Sequence, residues 1–534
     1  MTDKKILTCI NPATGEKFDE ITMATAEDVA TAYKDMRRAK TIWQQKSVHE
    51  RVRILRQFQS VMVDALDEIT SVINQDCGKS RQDALLEVFV TLDLLREYCN
   101  HAPKWLAREY VPSGLQFFKR GYIEHRPYGV VLIIAPWNYP FNLALAPVLS
   151  ALFAGNTVLL KSSKTTAATG KLIESLFKRV PELEPFIRIV HGDSSVGRML
   201  VKSAPDHIFL TGSGATASKI LHDAADNLTP VTCELGGKDA MIVLDDADVE
   251  KAAKWGVWGA FFNAGQTCMS VERVYVHASI YDEFVWHVVA ETESIQMGYH
   301  KEMVNFCLIG SMTTSEQVDL VEEHLADAVA KGAKILAGGR RQDNFFEPTI
   351  LVDVDHTMKV MQEESFGPFI PIMKVSDEAE AIRLANDSIY GLSAIVWGKD
   401  IKRAERVGHY LEAGTVIIND VLVHFGNPLL PFGGVKESGN GRSHGRAGLL
   451  GFTEPHSYMI GNPPYSFDIA TMLREPGQYH ANSAILHLIF GTSPKQKLRP
   501  ILKDKETISK AVKLTMLGTT LGIGFKWLWH VMKR

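Results

Sequence analysis

The fold is decided by the stretch Val130-Val131-Leu132-Ile133-Ile134-Ala135-Pro136-Trp137-Asn138. Its first five residues are all apolar, which predicts a strand buried on both faces. A helix is predicted over 142–153, and further strands over 157–161, 186–190 and 207–210. Apolar strands that alternate with helices predict an α/β fold with a parallel, doubly wound sheet. Such sheets bind ligands at the carboxyl ends of their strands.

A second alternating series begins at 240–244 and continues through strands predicted at 273–276 and 334–337. We expect this series to form a separate catalytic α/β domain. Upstream, residues 25–110 carry apolar side chains at helical spacing on one side only. This pattern predicts helices that cover a sheet.

The composition indicates only a broad class of protein. A chain of 534 residues is too long for a single core, and 46% hydrophobic with 22% charged residues is typical of a globular protein. The formal charge of −4 gives no reason to expect nucleic-acid binding. The six cysteines are scattered without CxxC pairs, which argues against a zinc site or a disulfide framework and favours a reducing compartment. The polar N-terminus predicts no secretory signal.

Three residues at predicted element ends could carry chemistry. Cys268 follows Gly265-Gln266-Thr267 and would be a soft nucleophile once deprotonated. Gly265 is expected to leave room for the backbone or ring of another molecule. Glu234 ends the β-rich run 231–234 and could act as a general base. Asn138 lies on a proline-stiffened loop, where its amide could donate to an oxyanion.

Each of these residues also has an ordinary interpretation. A lone cysteine is usually a small buried side chain. A glutamate at a strand end is usually a solvated charge, and an asparagine near a proline often only forms a turn. The residue types alone leave both interpretations open.

Five motifs in register resemble the aldehyde dehydrogenase superfamily over residues about 10–460. They are PWNYP with Asn138, ELGGK with Glu234, GQTC with Cys268, Glu364 to Pro368 (ESFGP), and 431–439 (PFGGVKESG). The resemblance implies that Cys268 attacks an aldehyde, that a nicotinamide cofactor takes the hydride, and that water hydrolyses the thioester. Glu234 would activate that water, and Asn138 would hold the oxyanion. Relatives that transfer the acyl group to coenzyme A generally lack the glutamate, so the carboxylic acid is the expected product.

The resemblance also indicates cofactor contacts, with NAD or NADP as the cofactor. They are Trp137, Lys161, Lys164, Gly212, Ser213, Glu364 and Phe366. Gly212 and Ser213 follow a strand and open a helix, where backbone N–H groups can face a phosphate. Lys164 stands where relatives usually carry a glutamate, and a lysine attracts a 2′-phosphate. We therefore predict that NADP is accepted, unless Lys164 merely points into solvent.

The motifs indicate fewer contacts for the substrate than for the cofactor. Trp137, Tyr139 and Phe425 are candidates for an aromatic substrate funnel, or they are simply core residues. Ser443 and His444 follow Arg442 where many relatives carry a glutamate proposed to relay protons, so that relay is not expected here.

The resemblance divides the chain into four parts. They are a cofactor domain (1–235) with an arm at about 116–128, a catalytic domain (236–420), a return to the cofactor domain and arm (421–465), and an extension (466–534). In the family a small β arm joins subunits, here with a partner strand near 450–460. A homodimer or homotetramer is therefore expected.

The C-terminal tail differs from the rest of the chain. Beyond Pro494 it carries ten basic and two acidic residues, and 514–525 is an uncharged, largely apolar run of 12 residues. A bilayer span needs about 20 residues, so peripheral anchoring to a membrane surface is expected rather than a span. The arrangement resembles membrane-bound fatty aldehyde dehydrogenases. The alternative is a terminal helix docked on a neighbouring subunit.

These observations predict an NAD(P)-dependent dehydrogenase that converts a hydrophobic aldehyde, medium- or long-chain or aromatic, into its acid. We expect it in the cytoplasm or on the cytoplasmic face of a membrane. One alternative is a semialdehyde dehydrogenase, which needs a cation for the distal carboxylate. The other is a membrane-associated scaffold with a decayed site, against which the intact Asn138, Glu234 and Cys268 speak.

Overall fold

The computed structural model of the chain describes residues 5–114, 119–299, 309–461 and 478–498. They fall into two compact units, one within Met1–Arg108 and Glu124–His456, the other within Glu109–Ile123 and Ser457–Arg534. Cys307 and the apolar tail run 514–525 lie outside the described residues. The other five cysteines are free thiols.

The N-terminal region is helical, as predicted, but it begins with a hairpin that the sequence analysis missed. The hairpin consists of β1 (Ile6–Ile10) and β2 (Lys17–Thr22), which pair antiparallel. Four helices follow: α1 (Ala26–Gln45), α2 (Val48–Asp64), α3 (Leu66–Cys77) and α4 (Arg81–Trp105). Capping boxes at Thr25 and Ser47 fix where α1 and α2 begin. Two strands come next, β3 (Glu109–Val111) and β4 (Lys119–Pro127).

The first large sheet confirms the predicted doubly wound pattern. Its parallel strands are β5 (Val130–Ile134), β6 (Thr157–Lys161), β7 (Ile187–Ile189), β8 (His207–Thr211) and β9 (Val231–Glu234), in the order β9-β8-β5-β6-β7. The connecting helices are α5 (Asn142–Ala154), α6 (Ala167–Lys178), α7 (Ser194–Lys202) and α8 (Gly214–Ala225). Every residue of β5 and β6 is buried, because helices cover both faces.

The second series forms a sheet of seven strands in the order β12-β15-β16-β11-β10-β18-β19. The strands of this region are β10 (Asp239–Val243), β11 (Val271–His277), β12 (Lys334–Ala337), β13 (Arg341–Gln342), β14 (Phe345–Phe346), β15 (Thr349–Val352), β16 (Phe369–Val375), β17 (Tyr390–Gly391), β18 (Ser393–Trp397) and β19 (Thr415–Ile418). The helices are α9 (Val249–Phe261), α10 (Tyr281–Glu293), α11 (Ser315–Ala330), α12 (Lys359–Gln362), α13 (Glu378–Asn386) and α14 (Ile401–Gly408). The sheet is mixed, since β12 lies antiparallel at its edge.

The chain then returns to the first sheet. The remaining elements are β20 (Val435–Lys436), β21 (Gly439–Asn440), α15 (Gly445–Leu450), β22 (Thr453–Gly461), α16 (Gln478–Phe490) and α17 (Pro494–Leu498). β21 pairs antiparallel with β9, beside Glu234. β22, β4 and β3 form a three-stranded sheet, so strands do occur where the arm was predicted. The domain boundaries themselves stay a prediction. No helix within the described ranges has both the length and the apolar character needed to cross a bilayer.

Candidate active site

Cys268 lies on a tightly held loop between α9 and β11. A 3₁₀ turn, Phe262–Gly265, follows α9, and its Asn263 and Ala264 have positive φ angles of 54°. The Gln266 side chain closes the loop, since its Nε2 donates to the Asn263 carbonyl (3.0 Å) and its Oε1 accepts the Thr313 N–H (2.9 Å). The backbone that carries the thiol is therefore fixed by hydrogen bonds.

Gly265 has a different role from the one expected. Its φ is +72°, and a Cβ there would lie 2.1 Å from the carbonyl oxygen of Gly367. The close neighbour is thus the chain's own 364–368 loop, not another molecule. The requirement for glycine was predicted correctly, but the expected partner was wrong, because only the fold brings the two loops together.

Cys268 and Glu234 line one cavity, which with the open space at its mouth has an empty volume of about 400 Å³. The other lining residues are Leu143, Ala146, Pro147, Phe209, Thr211, Leu235, Phe425, Phe432, Ser443 and His444. None of these described lining residues is a lysine or an arginine. Burial, and secondarily the carboxylate of Glu364, raises the pKa of the Cys268 thiol above its ordinary value. The resting side chain is consequently a thiol at neutral pH.

Glu234 is the last residue of β9 and is 6% exposed. Neither of its carboxyl oxygens has a hydrogen-bond partner among the described residues. Burial raises its pKa well above the usual range, and the charge of Arg442 opposes this only in part. The Ser443 N–H, which donates to the Phe432 carbonyl, also lies close enough to the Glu234 carboxyl to lower its pKa slightly. The carboxyl group can thus meet a water or substrate that enters the cavity.

Asn138 is joined directly to the cysteine loop. Its Nδ2 donates to the carbonyl of Gln266 (3.1 Å), two residues before Cys268. The neighbouring Tyr139 hydroxyl is hydrogen-bonded to Thr267 Oγ1 at 2.6 Å. The structure thus brings the three predicted residues together, with Cys268 and Glu234 in one cavity and Asn138 bonded to the loop of the nucleophile.

A buried ion pair that the sequence analysis missed holds the Asn138 loop. Lys79 Nζ lies 3.0 Å from Glu87 Oε2, and the two side chains are 1% and 0% exposed. Lys79 also donates to the Asn138 carbonyl (2.7 Å), and Glu87 Oε1 accepts the N–H groups of Phe141 (2.8 Å) and Asn142 (3.0 Å). Nothing in the spacing of Lys79 and Glu87 indicates this role, because their partners lie more than 50 residues away.

The start of α8 fits the phosphates of a dinucleotide. The side chain of Ser213 caps the helix by accepting the Thr216 N–H (3.3 Å). A Cβ at Gly212 would meet only the Leu210 side chain, at 3.7 Å, and a Cβ at Gly214 would meet nothing within 4 Å. The Gly212 N–H itself donates to the Glu234 carbonyl (3.1 Å), so the groups that an anion can meet here are the N–H groups further along the start of α8. The phosphate contacts of Gly212 and Ser213 stay a prediction.

Lys161 and Lys164 are placed together at the end of β6. Lys161 is buried, donates to the Ser162 carbonyl (3.1 Å), and has its pKa lowered to about 8 by burial, with a smaller contribution from the charge of Lys164. Lys164 is exposed. The two ammonium groups thus give this strand end a positive electrostatic potential, which attracts an anionic ligand.

The 364–368 loop supplies the other predicted cofactor contacts. Glu364 Oε1 accepts the Gly237 N–H (3.1 Å), and burial raises the pKa of Glu364 to about 8. The ring of Phe366 meets that of Trp137 edge-on, with centroids 5.4 Å apart. A second buried ion pair supports the loop, because Glu272, paired with Lys238, accepts the N–H groups of residues 365 and 366.

Of the three aromatic funnel candidates, only Phe425 lines the cavity. Trp137 packs on Phe366, and Tyr139 is engaged with Thr267. The structure adds Phe432 and His444 to the lining. Phe432 lies within the PFGGVKESG motif and His444 follows it five residues later, but no sequence pattern indicated that they face Cys268.

Comparison with known proteins identifies the family. The model of the aldehyde dehydrogenase family matches residues 1–458. The chain belongs to this family. It is similar to 4,4'-diapolycopene aldehyde oxidase of Methylomonas sp, with 41% identity over 456 residues that cover 84% of this chain and 85% of the relative. It is also similar to a protein of Mycobacterium ulcerans named as a succinate-semialdehyde dehydrogenase [NADP(+)], with 35% identity over 83% of this chain and 86% of the relative.

Similarity to solved structures supports the same family assignment. The betaine aldehyde dehydrogenase of Staphylococcus aureus in complex with NAD+ matches with a TM-score of 0.82 and 31% identity, over 88% of this chain and 94% of that one. The chain is thus an aldehyde dehydrogenase by family, an oxidoreductase that uses NAD or NADP, as the sequence analysis predicted.

The Lys79–Glu87 pair generates a prediction. We expect the double variant Lys79→Met/Glu87→Gln to lower kcat at least about tenfold while KM for the aldehyde changes less than about threefold. The reason is that the Asn138 loop loses the anchors at both of its ends, and one oxyanion donor accounts for about 10²–10³ in kcat. Steady-state kinetics on protein with an unchanged circular dichroism spectrum measures this.

The control is Arg81→Met, because Arg81 lies at the start of α4 but bonds to Thr70 and Asp67 rather than to the loop. It should keep wild-type kcat. A folded double variant with wild-type kcat would show that the ion pair does not position Asn138.

Proposed function

We propose that the chain oxidises a hydrophobic aldehyde to its carboxylic acid through an acyl group carried on Cys268. The observation that supports this most directly is the shared cavity of Cys268 and Glu234, with Asn138 hydrogen-bonded to the same loop. Formation and hydrolysis of an acyl-enzyme require a nucleophile, a base and a hydrogen-bond donor to the oxyanion.

The first half of the reaction forms the thioester. The Cys268 thiol loses its proton to water, and its sulfur bonds to the aldehyde carbon. The resulting oxyanion is stabilised by the Asn138 amide and the Cys268 N–H. Lys161, Lys164 and the start of α8 would hold NAD or NADP, which would supply the hydride acceptor that the carbon needs to become a thioester.

The second half releases the acid. Glu234 takes a proton from a water, whose oxygen bonds to the acyl carbon. The carbon–sulfur bond then breaks, and Cys268 leaves as a thiolate. Since burial raises the pKa of both the thiol and the Glu234 carboxyl, the two groups reach their active, deprotonated forms more fully as the pH rises above neutrality.

Replacing Glu234 separates the two halves. We expect Glu234→Gln to release about one equivalent of NAD(P)H per site in a burst and then to turn over about 10²–10⁴-fold more slowly, because only thioester hydrolysis needs the base. Stopped-flow absorbance at the reduced cofactor band measures both phases. In the wild type, kcat/KM should rise with pH from 7 to 10.

Two variants complete this experiment. Cys268→Ala should give no burst, and Glu437→Gln, an exposed glutamate on the neighbouring 431–439 loop, should behave as wild type. Steady turnover by Cys268→Ala would reject the covalent route. Wild-type steady turnover by Glu234→Gln would reject the role of Glu234.

Lys164 supports the use of NADP. It is exposed at the end of β6, its charge acts on Lys161, and no carboxylate stands at position 164 to repel a 2′-phosphate. The relative from Mycobacterium ulcerans carries NADP(+) in its name. We therefore propose that Lys164, with Lys161, contacts the phosphate that distinguishes NADP.

Reversing the charge tests this. We expect Lys164→Glu to lower kcat/KM for NADP at least about tenfold, because a charge-assisted contact becomes a repulsion. The value for NAD should change less than about threefold. The control is Lys399→Glu, an exposed lysine after β18, which should change neither value. An unaltered NADP to NAD ratio in Lys164→Glu would exclude the contact.

The cavity supports a hydrophobic substrate. Seven of its lining residues are aliphatic or aromatic (Leu143, Ala146, Pro147, Phe209, Leu235, Phe425 and Phe432). None of the described lining residues is a cation that could hold the distal carboxylate of a semialdehyde. The Methylomonas relative is named for the oxidation of 4,4'-diapolycopene aldehyde, not of a semialdehyde. The name of the Mycobacterium relative keeps a semialdehyde as the second candidate.

The C-terminal tail and the β arm would determine where the enzyme lies and how its subunits assemble. We propose that the basic, partly apolar segment 495–534 holds the enzyme at the cytoplasmic face of a membrane, near hydrophobic substrates. We also propose that the sheet of β22, β4 and β3 joins subunits into a dimer or tetramer. The two large sheets would be the cofactor domain (1–235) and the catalytic domain (236–420).

An aldehyde series tests substrate and tail together. For saturated aldehydes from C4 to C16 we expect kcat/KM to rise about two- to fourfold per methylene until the cavity is filled, since each buried CH2 contributes about 0.8 kcal/mol. The chain without residues 495–534 should keep this profile for C4 to C8 but no longer float with anionic lipid vesicles. Succinate semialdehyde as the best substrate would refute the hydrophobic assignment, and flotation without the tail would refute the anchor.

A further inference from the structure

One histidine that lines the cavity and one that packs against its wall carry ring nitrogens without partners among the described residues. His444 lines the cavity beside Glu234 and Cys268, is 4% exposed, and its Nδ1 has no hydrogen-bond partner among the described residues. In the same part of the chain, neither Nδ1 nor Nε2 of His424 has a partner. The His444 ring lies 4.6 Å from the ring of Phe425, and the His424 ring lies 5.7 Å from that of Phe432. The His444 imidazole is therefore part of the aromatic wall of the cavity, and the His424 imidazole packs against Phe432, a residue of that wall.

The fold keeps His444 in place against a backbone preference. Its φ is 59° and its ψ is 167°, a region that residues other than glycine seldom occupy. Hydrogen bonds on both sides maintain this geometry. Ser443 and Phe432 exchange two backbone bonds (2.7 and 2.8 Å), and the N–H of Gly445 donates to the carbonyl of Pro428 (2.8 Å). A strained residue with an unpaired buried donor or acceptor is typical of a ligand contact.

Both imidazoles are neutral at physiological pH. Burial lowers the pKa of His444 and of His424 to about 4, and their mutual repulsion adds to the effect on His444. A neutral imidazole donates one hydrogen bond and accepts another, but it does not attract a carboxylate.

We propose that His444, assisted by His424, forms a subsite for a neutral oxygen of the substrate, a hydroxyl or carbonyl group on the carbon chain behind the aldehyde. The inference rests on the proposed function and refines its substrate class. A hydroxyl fits either tautomer, because it can accept from one imidazole nitrogen and donate to another.

Matched aldehydes test the subsite on the full-length enzyme. One pair is trans-2-nonenal and 4-hydroxy-trans-2-nonenal, and the other is decanal and 10-hydroxydecanal. Within each pair only the hydroxyl differs, and it lies close to the aldehyde in one and far from it in the other. We expect the wild type to favour the hydroxylated member of one pair about fivefold or more in kcat/KM, as one added hydrogen bond allows. His444→Leu should reduce that ratio to about one.

The ratio within each variant is the readout, so a general loss of rate does not imitate the effect. Asparagine tolerates positive φ and has a polar side chain, so His444→Asn should retain part of the preference. This variant replaces His444→Leu in the test if the leucine variant does not fold. His424→Leu should lower the ratio less than His444→Leu does. The control is His207→Leu, since His207 is a buried histidine with an unpartnered Nδ1 that does not line the cavity.

The outcomes separate the subsite from the proposed function. A ratio near one for both pairs in the wild type, with rapid oxidation of the unsubstituted aldehydes, overturns the subsite and leaves the proposed function standing. A ratio that His444→Leu leaves unchanged also overturns it and assigns the histidines to bound water. Absence of oxidation for every aldehyde would instead reject the proposed function.

Discussion

The buried pair of Lys79 and Glu87 is the interaction on which the site geometry depends. Two charges withdrawn from water are stable only when their remaining donors and acceptors are satisfied. Here they are, because the ammonium group meets the Asn138 carbonyl and the carboxylate meets the first N–H groups of α5. The pair therefore fixes the loop after β5 at both ends. Loss of one partner would leave an uncompensated buried charge, which costs about 3–5 kcal/mol.

The second ion pair does the same for the opposite loop. Glu272, paired with Lys238, accepts two N–H groups of the 364–368 loop, and Lys238 also donates to Ser365 Oγ (3.0 Å). Glycines then allow these anchored loops to touch, since a Cβ at Gly236 would lie 2.2 Å from the Glu364 carboxyl group. The cysteine loop meets the same loop through Gly265. The two ion pairs hold the loops in position, and the glycines let them approach closely. Loops from both large sheets therefore meet at the site.

The sequence predicts those features that depend on neighbours along the chain. The apolar runs that form β5 and β6 are long enough to be recognised, and the motifs give Asn138, Glu234 and Cys268. The β1–β2 hairpin was missed because Ile6 and Ile10 are exposed and leave no buried alternation to recognise. The antiparallel pairing of β12, the partner of Gly265 and both ion pairs depend on residues distant in sequence. No local pattern encodes them.

Burial of the cavity links substrate preference to protonation. The apolar wall that would favour a hydrophobic aldehyde also withdraws water from Cys268 and Glu234, and desolvation raises the pKa of each. A more polar cavity would ionise both groups at lower pH but would bind a hydrocarbon chain less well. Burial also leaves the imidazole of His444 in that wall, and that of His424 packed against Phe432, uncharged. An oxygen atom on such a chain therefore meets a neutral partner there, and no charge is brought into the cavity.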